Sequence, residues 1–249
     1  MIGAKPLKST IPPHQGRFDV KTPPIRFMGE GQIQHALLLA GLLPGAVAVA
    51  APALDGSSWL GVADRTWFYA VIAVAVLHQV LGWFVFRAQL VFSLFTRLFG
   101  RRDLAVWGCL FFPLLLLRPL LTLALGLADA GSLDAIRGWQ SLIGACLLLP
   151  ALATGWSVGK HFGVRRALGG DHFRQRYREL PLVRAGMFKY SSNAMYSFAF
   201  LIFWALAFLT GSRAALAAAL FQHAYIWVHL YCTEAPDMRL IYGGDADRP

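Results

Sequence analysis

The residues of this chain that could do chemistry lie mostly in its C-terminal third. Gln222, Tyr225 and His229 are spaced by three and four residues, so on a helix they share one face. This polar stripe runs toward Glu234 and predicts the wall of a cavity, although a lone histidine in a membrane helix more often bonds a neighbouring helix. Glu234 follows the apolar segment that carries the stripe, and a carboxylate at a helix C-terminus opposes the helix dipole. That cost favours a functional Glu234, suited to accept hydrogen bonds from an ammonium or a diol.

The segments that must position these residues are strongly apolar. Hydrophobic residues make up 57% of the chain and charged residues 14%, whereas soluble domains have about half and about a quarter. The apolar residues fall into six segments, each near the length that crosses about 30 Å of hydrocarbon. The fold class predicted is therefore all-α, a polytopic membrane protein of about six transmembrane helices. The segments are 33–54, 66–86, 104–128, 139–158, 194–210 and 214–232.

The basic residues predict the orientation of these helices. If the N-terminus lies inside, the inside segments carry nineteen Lys and Arg residues and the outside loops carry three, Arg65, Arg137 and Arg213. Such an excess is typical of the cytosolic side. We therefore expect both termini in the cytosol, with the basic loops contacting anionic lipid head groups. The formal net charge of +10 is explained by this topology, and no motif points to nucleic acid.

The remaining stretches predict one membrane domain with polar ends. Residues 1–30 are polar, Pro-rich and basic, with no visible secretory signal peptide, and are predicted to be a cytosolic segment. Residues 31–243 are predicted to form the membrane domain and residues 244–249 a tail. The stretch 88–99 is apolar but too short to span, which predicts an interfacial segment that continues the second helix. The loop 159–192 is the longest cytosolic connection, and its length, basic character and glycines indicate function.

The cysteines predict neither a disulfide framework nor a metal site. Cys109, Cys146 and Cys232 all fall in or at the end of apolar segments. Their odd number and wide spacing indicate free thiols.

Arg118 is unusual because it lies inside the third apolar segment, beside Pro119. An arginine within a membrane is costly and faces protein or water. We expect a structural partner for it, the alternative being a lipid phosphate.

Two runs in the C-terminal third resemble a known family. Residues 170–198 read GDHFRQRYRELPLVRAGMFKYSSNAMYSF, and residues 231–243 read YCTEAPDMRLIYG. Together they resemble the integral-membrane methyltransferases, the group of phosphatidylethanolamine N-methyltransferases and isoprenylcysteine carboxyl methyltransferases. The resemblance covers residues 140–243 and favours the phospholipid branch, with its NPMY form and its C-terminal E-x-P and I-Y pattern. The matching positions are Asn193, Met195, Tyr196, Glu234, Pro236, Ile241 and Tyr242.

This resemblance implies S-adenosylmethionine as cofactor, bound without a Rossmann fold in a cytosol-facing pocket of the last helices and loops. Glu234 would accept hydrogen bonds from the ribose diol or the ammonium group of the cofactor, and amide or hydroxyl groups would bind its carboxylate. Gly144 is the nearest match to a glycine motif of the branch, and the alternative for Gly144 is a packing contact between helices. The predicted cofactor-binding residues are Ser192, Asn193, Met195, Tyr196, Glu234 and Gly144.

The chain departs from the family pattern at two places. The common Arg-His-Pro triplet is Ser192, Asn193 and Ala194 here, so the Arg and His that help hold the cofactor carboxylate are absent. Ser191 to Asn193 are also suited to cap the fifth helix, and a helix N-terminus is itself an anion site. The second glutamate of the phospholipid branch is Ala235. One alternative is therefore a non-catalytic subunit or transporter on a decayed methyltransferase scaffold.

The predicted function is N-methylation of phosphatidylethanolamine or its mono- and dimethyl derivatives at the cytosolic face of a bacterial inner membrane or endoplasmic reticulum. The amine must be neutral to attack, and His229 is predicted to accept its proton. Tyr225 and Tyr196 are the other predicted catalytic residues, as aromatic groups that favour the cationic head group. The alternatives in the same class are methylation of a prenylated cysteine carboxylate or of a small thiol. The predicted partners are the membrane lipid substrate and anionic lipid head groups.

Overall fold

The computed structural model of the protein describes residues 22–133, 136 and 138–243. Most of residues 1–30, the predicted tail 244–249 and Arg137 lie outside these residues. The described chain is mostly helical, and its strands form one small hairpin, in which β1 (Ser58–Trp59) pairs antiparallel with β2 (Val62–Ala63). The predicted all-α fold is confirmed.

The helices are α1 (Gln32–Ala50), α2 (Asp64–Phe92), α3 (Leu94–Phe99), α4 (Asp103–Ala128), α5 (Gln140–Ser157), α6 (Val164–Ala167), α7 (Gly170–Phe173), α8 (Gln175–Arg178), α9 (Leu201–Thr210), α10 (Arg213–His229) and α11 (Ala235–Tyr242). A 3-10 helix, Ile25–Gly29, precedes α1. Three π-helical turns extend the longer helices. They are Val158–Phe162 after α5, Met195–Ala199 before α9, and Leu230–Glu234 between α10 and α11.

Four helical stretches of the described chain are long and apolar enough to cross a membrane. They are Ile25–Ala53, Asp64–Phe92, Leu94–Ala128 and Gln140–Phe162. The fifth predicted segment is the shorter apolar helix Met195–Thr210, and the sixth corresponds to α10. The protein is thus an all-α polytopic membrane protein, while the count of six and the cytosolic placement of the termini stay predictions.

The second helix differs from its prediction at its C-terminal end. It continues to Phe92, so the first residues of the expected interfacial segment belong to the long helix. Ser93 then adopts a left-handed conformation with φ of 52°, and the short α3 begins at Leu94. Side chains hold this break, because Gln89 Oε1 accepts from the backbone N–H of Thr96 and its amide nitrogen donates to the Thr96 hydroxyl.

Helix α10 is the central element of the bundle and packs against α1, α2, α4 and α9. Its first turns consist of small, buried residues, which let the neighbouring backbones approach closely. These residues are Ala214, Ala215, Ala217, Ala218 and Ala219. Two residues, Gly211 and Ser212, separate α9 from α10, and the Ser212 hydroxyl caps α10 by accepting from the N–H of Ala215. The two helices therefore form a tight helical hairpin.

Arg118 has the structural partner that the sequence analysis predicts. Its side chain is buried, and Nε donates a hydrogen bond to Gln222 Oε1 at 3.0 Å. The amide of Gln222 in turn donates to the hydroxyl of Thr122 at 3.0 Å. The guanidinium also lies over the rings of Phe200 and Phe203, so α4, α9 and α10 share this contact.

Asp129 offers a direct test of how the hairpin is held. Its carboxylate is buried and accepts hydrogen bonds from the Ser212 hydroxyl at 2.6 Å and from the N–H of Ala214 at 2.8 Å. Asp129→Ala leaves these donors unpaired, so we expect the free energy of unfolding to fall by roughly 1–3 kcal/mol. The midpoint of thermal unfolding in detergent measures this. The exposed Asp55→Ala is the control, and an equal shift for both variants contradicts the assignment.

Candidate functional site

Two π-helical turns bring together the two side chains at the centre of the site. Tyr196 lies in the turn before α9 and Glu234 in the turn after α10. The hydroxyl of Tyr196 donates a hydrogen bond to Glu234 Oε2. The Glu234 side chain is only 21% exposed, although the residue is acidic. π-helical turns occur often at functional sites, where they re-aim side chains that a regular helix would place elsewhere.

His229 completes the immediate surroundings of Glu234. Its Nε2 lies 3.7 Å from Glu234 Oε1, and the ring is buried. Gly82 of α2 faces this ring, and a Cβ built there would lie 3.7 Å from His229 Cε1. Among the described residues, His229 Nδ1 has no hydrogen-bond partner. The His229 ring therefore has one nitrogen near the carboxylate, Nε2, and another without a partner, Nδ1.

Only one end of the predicted polar stripe reaches this site. Tyr225 is fully buried, and its hydroxyl pairs with His35 Nε2 at 2.9 Å, while Gln222 bonds Arg118. At 1.5 Å per residue, Tyr225 lies roughly 13 Å from Glu234 along the helix. Tyr225 thus joins α10 to α1, and its partner His35 has a ring centroid 6.0 Å from that of His229. A catalytic role of Tyr225 stays a prediction.

Aromatic rings flank the Tyr196–Glu234 pair. The Tyr196 and Trp227 ring centroids are 6.3 Å apart, and Trp227 stacks on Tyr231 at 6.1 Å. Tyr231 is exposed, so this aromatic row leads from the carboxylate to the protein surface. Aromatic faces attract cations, which suits a sulfonium or an alkylammonium group near them.

The residues before the Tyr196 turn offer free hydrogen-bonding groups. The backbone carbonyl of Asn193 accepts from the N–H groups of Tyr196 and Ser197, which starts the helix. Ser192 and Asn193 are exposed, and their side chains make no hydrogen bond within the described part of the chain. They stand near Tyr196, as does Met195, so their predicted contacts with the cofactor stay predictions consistent with this placement.

Gly144 lies away from the site. A Cβ at Gly144 would meet Leu209 Cγ at 2.7 Å, so the glycine permits close packing of α5 on α9. Leu209 is thirteen residues beyond Tyr196, roughly 20 Å along the helix. The prediction that Gly144 contacts the cofactor therefore does not fit, and the packing alternative does.

The dipole argument for Glu234 also requires correction. The helix does not end before Glu234 but continues through the π-helical turn into α11. What favours a functional Glu234 is instead its burial. Burying a carboxylate costs free energy unless a hydrogen-bond partner or an opposite charge compensates it.

Sequence analysis missed the ion pair that holds this turn. Arg87 of α2 and Asp237 of α11 form a salt bridge, and both side chains are fully buried. Arg87 also donates to the backbone carbonyls of Thr233, at 3.2 Å, and Phe27. A π-helical turn interrupts the regular helical hydrogen bonds, and Arg87 satisfies a carbonyl within it. The sequence analysis counted Arg87 as an ordinary loop charge, and the only available signal was its place at the end of an apolar segment.

His172 extends this network into the cytosolic loop of the prediction. Its Nε2 lies 3.3 Å from Asp237 Oδ2 and its Nδ1 lies 3.1 Å from Asp171 Oδ1. Burial disfavours the charged ring, but the hydrogen bonds to Asp171 and Asp237 outweigh it and raise the pKa of His172 to about 10. The ring also stacks on Phe86 with centroids 4.2 Å apart. The signals were the Asp171–His172 pair in the quoted run and the three-residue spacing of Glu234 and Asp237.

Comparison with known proteins identifies the region that contains this site. Residues 139–245 match the family model described as phospholipid methyltransferase. This part of the chain is similar to that family. A curated relative, the phosphatidylethanolamine N-methyltransferase of Malassezia globosa, is 30% identical over 115 residues, which are 45% of this chain and 11% of that protein. The match thus spans only about a tenth of the relative, and no solved structure matches the chain.

Removing the Arg87 charge should destabilise the protein strongly. Arg87→Met leaves Asp237 buried without its main partner, and breaking a buried pair in this way costs about 3–5 kcal/mol. Thermal unfolding in detergent measures the loss, with the exposed Arg26→Met as control. The double variant Arg87→Met with Asp237→Asn should lose less than the sum of its single variants. Simple additivity would show that the pair is not coupled.

The raised pKa of His172 predicts a dependence of stability on pH. A group whose folded pKa lies above its ordinary value of 6.5 stabilises fully below that value, and its contribution is lost as pH rises through the folded pKa of about 10. The difference in unfolding midpoint between wild type and His172→Gln should therefore shrink from about pH 6 to about pH 10. A difference that stays constant or grows contradicts a charged His172.

Proposed function

We propose that this protein is an S-adenosylmethionine-dependent phospholipid N-methyltransferase that acts on phosphatidylethanolamine or its mono- and dimethyl derivatives at the cytosolic membrane face. The observation that carries the proposal is the shielded Glu234 carboxylate between Tyr196 and His229, inside the part of the chain that matches the phospholipid methyltransferase family. The name of the Malassezia globosa relative supports the choice of substrate.

The residues present fit the cofactor. Glu234 supplies a carboxylate acceptor for an ammonium or a ribose diol. The free side chains of Ser192 and Asn193 supply donors for a carboxylate, in place of the Arg and His of the family pattern. The rings of Trp227 and Tyr196 offer faces for a sulfonium cation. When bound, the cofactor supplies an activated methyl group.

Tyr196 and the π-helical turns orient Glu234. A hydrogen bond to a charged group contributes more than one between neutral groups, and the Tyr196 hydroxyl directs one carboxylate oxygen. The other oxygen faces His229 and the open side of the site. Because these groups are fixed before anything binds, the alignment of donor and acceptor needs little reorganisation, which is how positioning contributes to rate.

His229 is the proposed acceptor of the proton that a lipid ammonium must lose before its nitrogen can attack. Its Nδ1 is buried with no partner among the described residues, and its Nε2 faces Glu234. Each methyl transfer to an amine releases one proton, and a neutral imidazole is suited to take it. The lipid would approach along the aromatic row that ends at the exposed Tyr231 while its acyl chains stay in the bilayer.

Cofactor binding tests the role of Glu234 directly. Isothermal titration of detergent-purified protein with S-adenosylmethionine should show binding by wild type and a loss of at least about tenfold for Glu234→Gln, because a charge-assisted hydrogen bond is removed. The exposed Glu179→Gln is the matched control and should bind normally. Failure of folded wild-type protein to bind the cofactor would favour the non-catalytic alternative.

Methyl transfer tests the substrate and the role of His229. With labelled cofactor, wild type should methylate phosphatidylethanolamine or its methylated derivatives in mixed micelles, and should not methylate a prenylated cysteine carboxylate or a small thiol. His229→Asn should lower kcat by roughly a hundredfold or more while cofactor affinity changes little. Labelling of the prenylated cysteine or the thiol alone would overturn the choice of substrate.

A further inference from the structure

A groove beside the first turns of α4 lies apart from the Tyr196–Glu234 site. An open groove of about 1180 Å³ lies between the first turns of α4 and the loop that carries α6 and α8. Its floor is one face of α4, because Leu104, Gly108 and Phe112 follow one another at intervals of four residues. None of the groove's lining residues belongs to the Tyr196–Glu234 site.

The rim of the groove is basic. Arg101, Arg165 and Arg176 line it and are exposed, and no ion pair holds them within the described residues. Arg174 also lines it, but its charge is balanced by Asp103, which it binds through two hydrogen bonds of 2.8 and 2.6 Å. Arg176 lies over Tyr177 and donates one N–H to its hydroxyl, so its remaining N–H groups face outward. The rim thus carries three uncompensated positive charges.

The groove lies at one end of a candidate membrane-spanning helix. Helix α4 belongs to a stretch long and apolar enough to span, Leu94–Ala128, and its exposed side chains include Leu110, Leu116 and Leu120. The floor of the groove from Leu104 to Pro113 extends roughly 14 Å along the helix from the end where the arginines lie. An apolar floor below a basic rim matches the two ends of a lipid.

We propose that this groove binds a glycerophospholipid with an anionic head group, with its phosphate among Arg101, Arg165 and Arg176 and an acyl chain on the α4 floor. Arginine is suited to phosphate because its planar N–H fork matches the oxygen geometry. The lipid is a bound companion and not the substrate, since the groove shares no residue with the proposed active site. The assignment goes beyond the proposed function and stands whether or not methyl transfer is found.

Native mass spectrometry of the full chain, titrated with phosphatidylglycerol and with phosphatidylcholine of the same acyl chains, tests the proposal. Wild type should retain phosphatidylglycerol preferentially. The triple variant Arg101→Gln, Arg165→Gln and Arg176→Gln should bind it at least about tenfold more weakly, since each basic residue near a membrane surface adds to the attraction. The matched control replaces three exposed arginines outside the groove, Arg26, Arg97 and Arg239, and should keep the preference.

A second pair of variants separates a built groove from a diffuse basic surface. Ala105→Trp fills the floor and should weaken retention of phosphatidylglycerol, whereas Leu116→Trp, exposed elsewhere on α4, should not. Unchanged binding by Ala105→Trp would overturn the groove, as would equal weakening by the two triple variants or equal retention of the two lipids. Displacement of the lipid by inorganic phosphate alone would also overturn it, since it would assign the arginines to a free anion.

Discussion

The buried ion pair between Arg87 and Asp237 is the interaction on which the end of the protein that holds Tyr196 and Glu234 depends. Both side chains are fully shielded in a protein whose surroundings are mostly apolar. Such charges are costly unless they are paired and hydrogen-bonded, and here the guanidinium also satisfies the backbone carbonyls of Thr233 and Phe27. The pair therefore ties α2, α11 and the segment before α1 to the π-helical turn that contains Glu234. His172 joins the loop between α5 and α9 to the same point, because its ring bridges Asp237 and Asp171.

The polar groups inside the bundle extend along α10 beyond this site, and the His35 ring centroid lies 6.0 Å from that of His229. Nearer the other end of α10, Gln222 bonds Arg118 and Tyr225 pairs with His35, so these groups join neighbouring helices. π-Helical turns precede α9 and follow α10, and there the carboxylate of Glu234 lies near Tyr196 and His229. His229 Nδ1 has no hydrogen-bond partner among the described residues, and the same is true of His35 Nδ1 and Arg118 Nη2.

The sequence predicted the apolar helices and the two motifs well, because both signals are local. Segment length and hydropathy locate the helices, and the pairing of Tyr196 with Glu234 follows from motifs that flank a short hairpin. Gly144 was misassigned because its close neighbour, Leu209, belongs to another helix, and the sequence does not show which helices pack together. Arg87 and Asp237 were missed because their partners come from segments far apart in the chain. The π-helical turns were missed as well, since the composition of Leu230–Glu234 does not differ from that of a regular helix.

The central claim is that the Tyr196 and Glu234 turns form the cofactor site of a membrane methyltransferase. Ultraviolet cross-linking of radiolabelled S-adenosylmethionine to the full chain, followed by peptide mapping, tests this claim most directly. The account predicts label in the peptides around residues 191–200 and 227–237, and its disappearance when unlabelled S-adenosylhomocysteine is added. Specific labelling confined to other parts of the chain, such as the groove along α4, would contradict it.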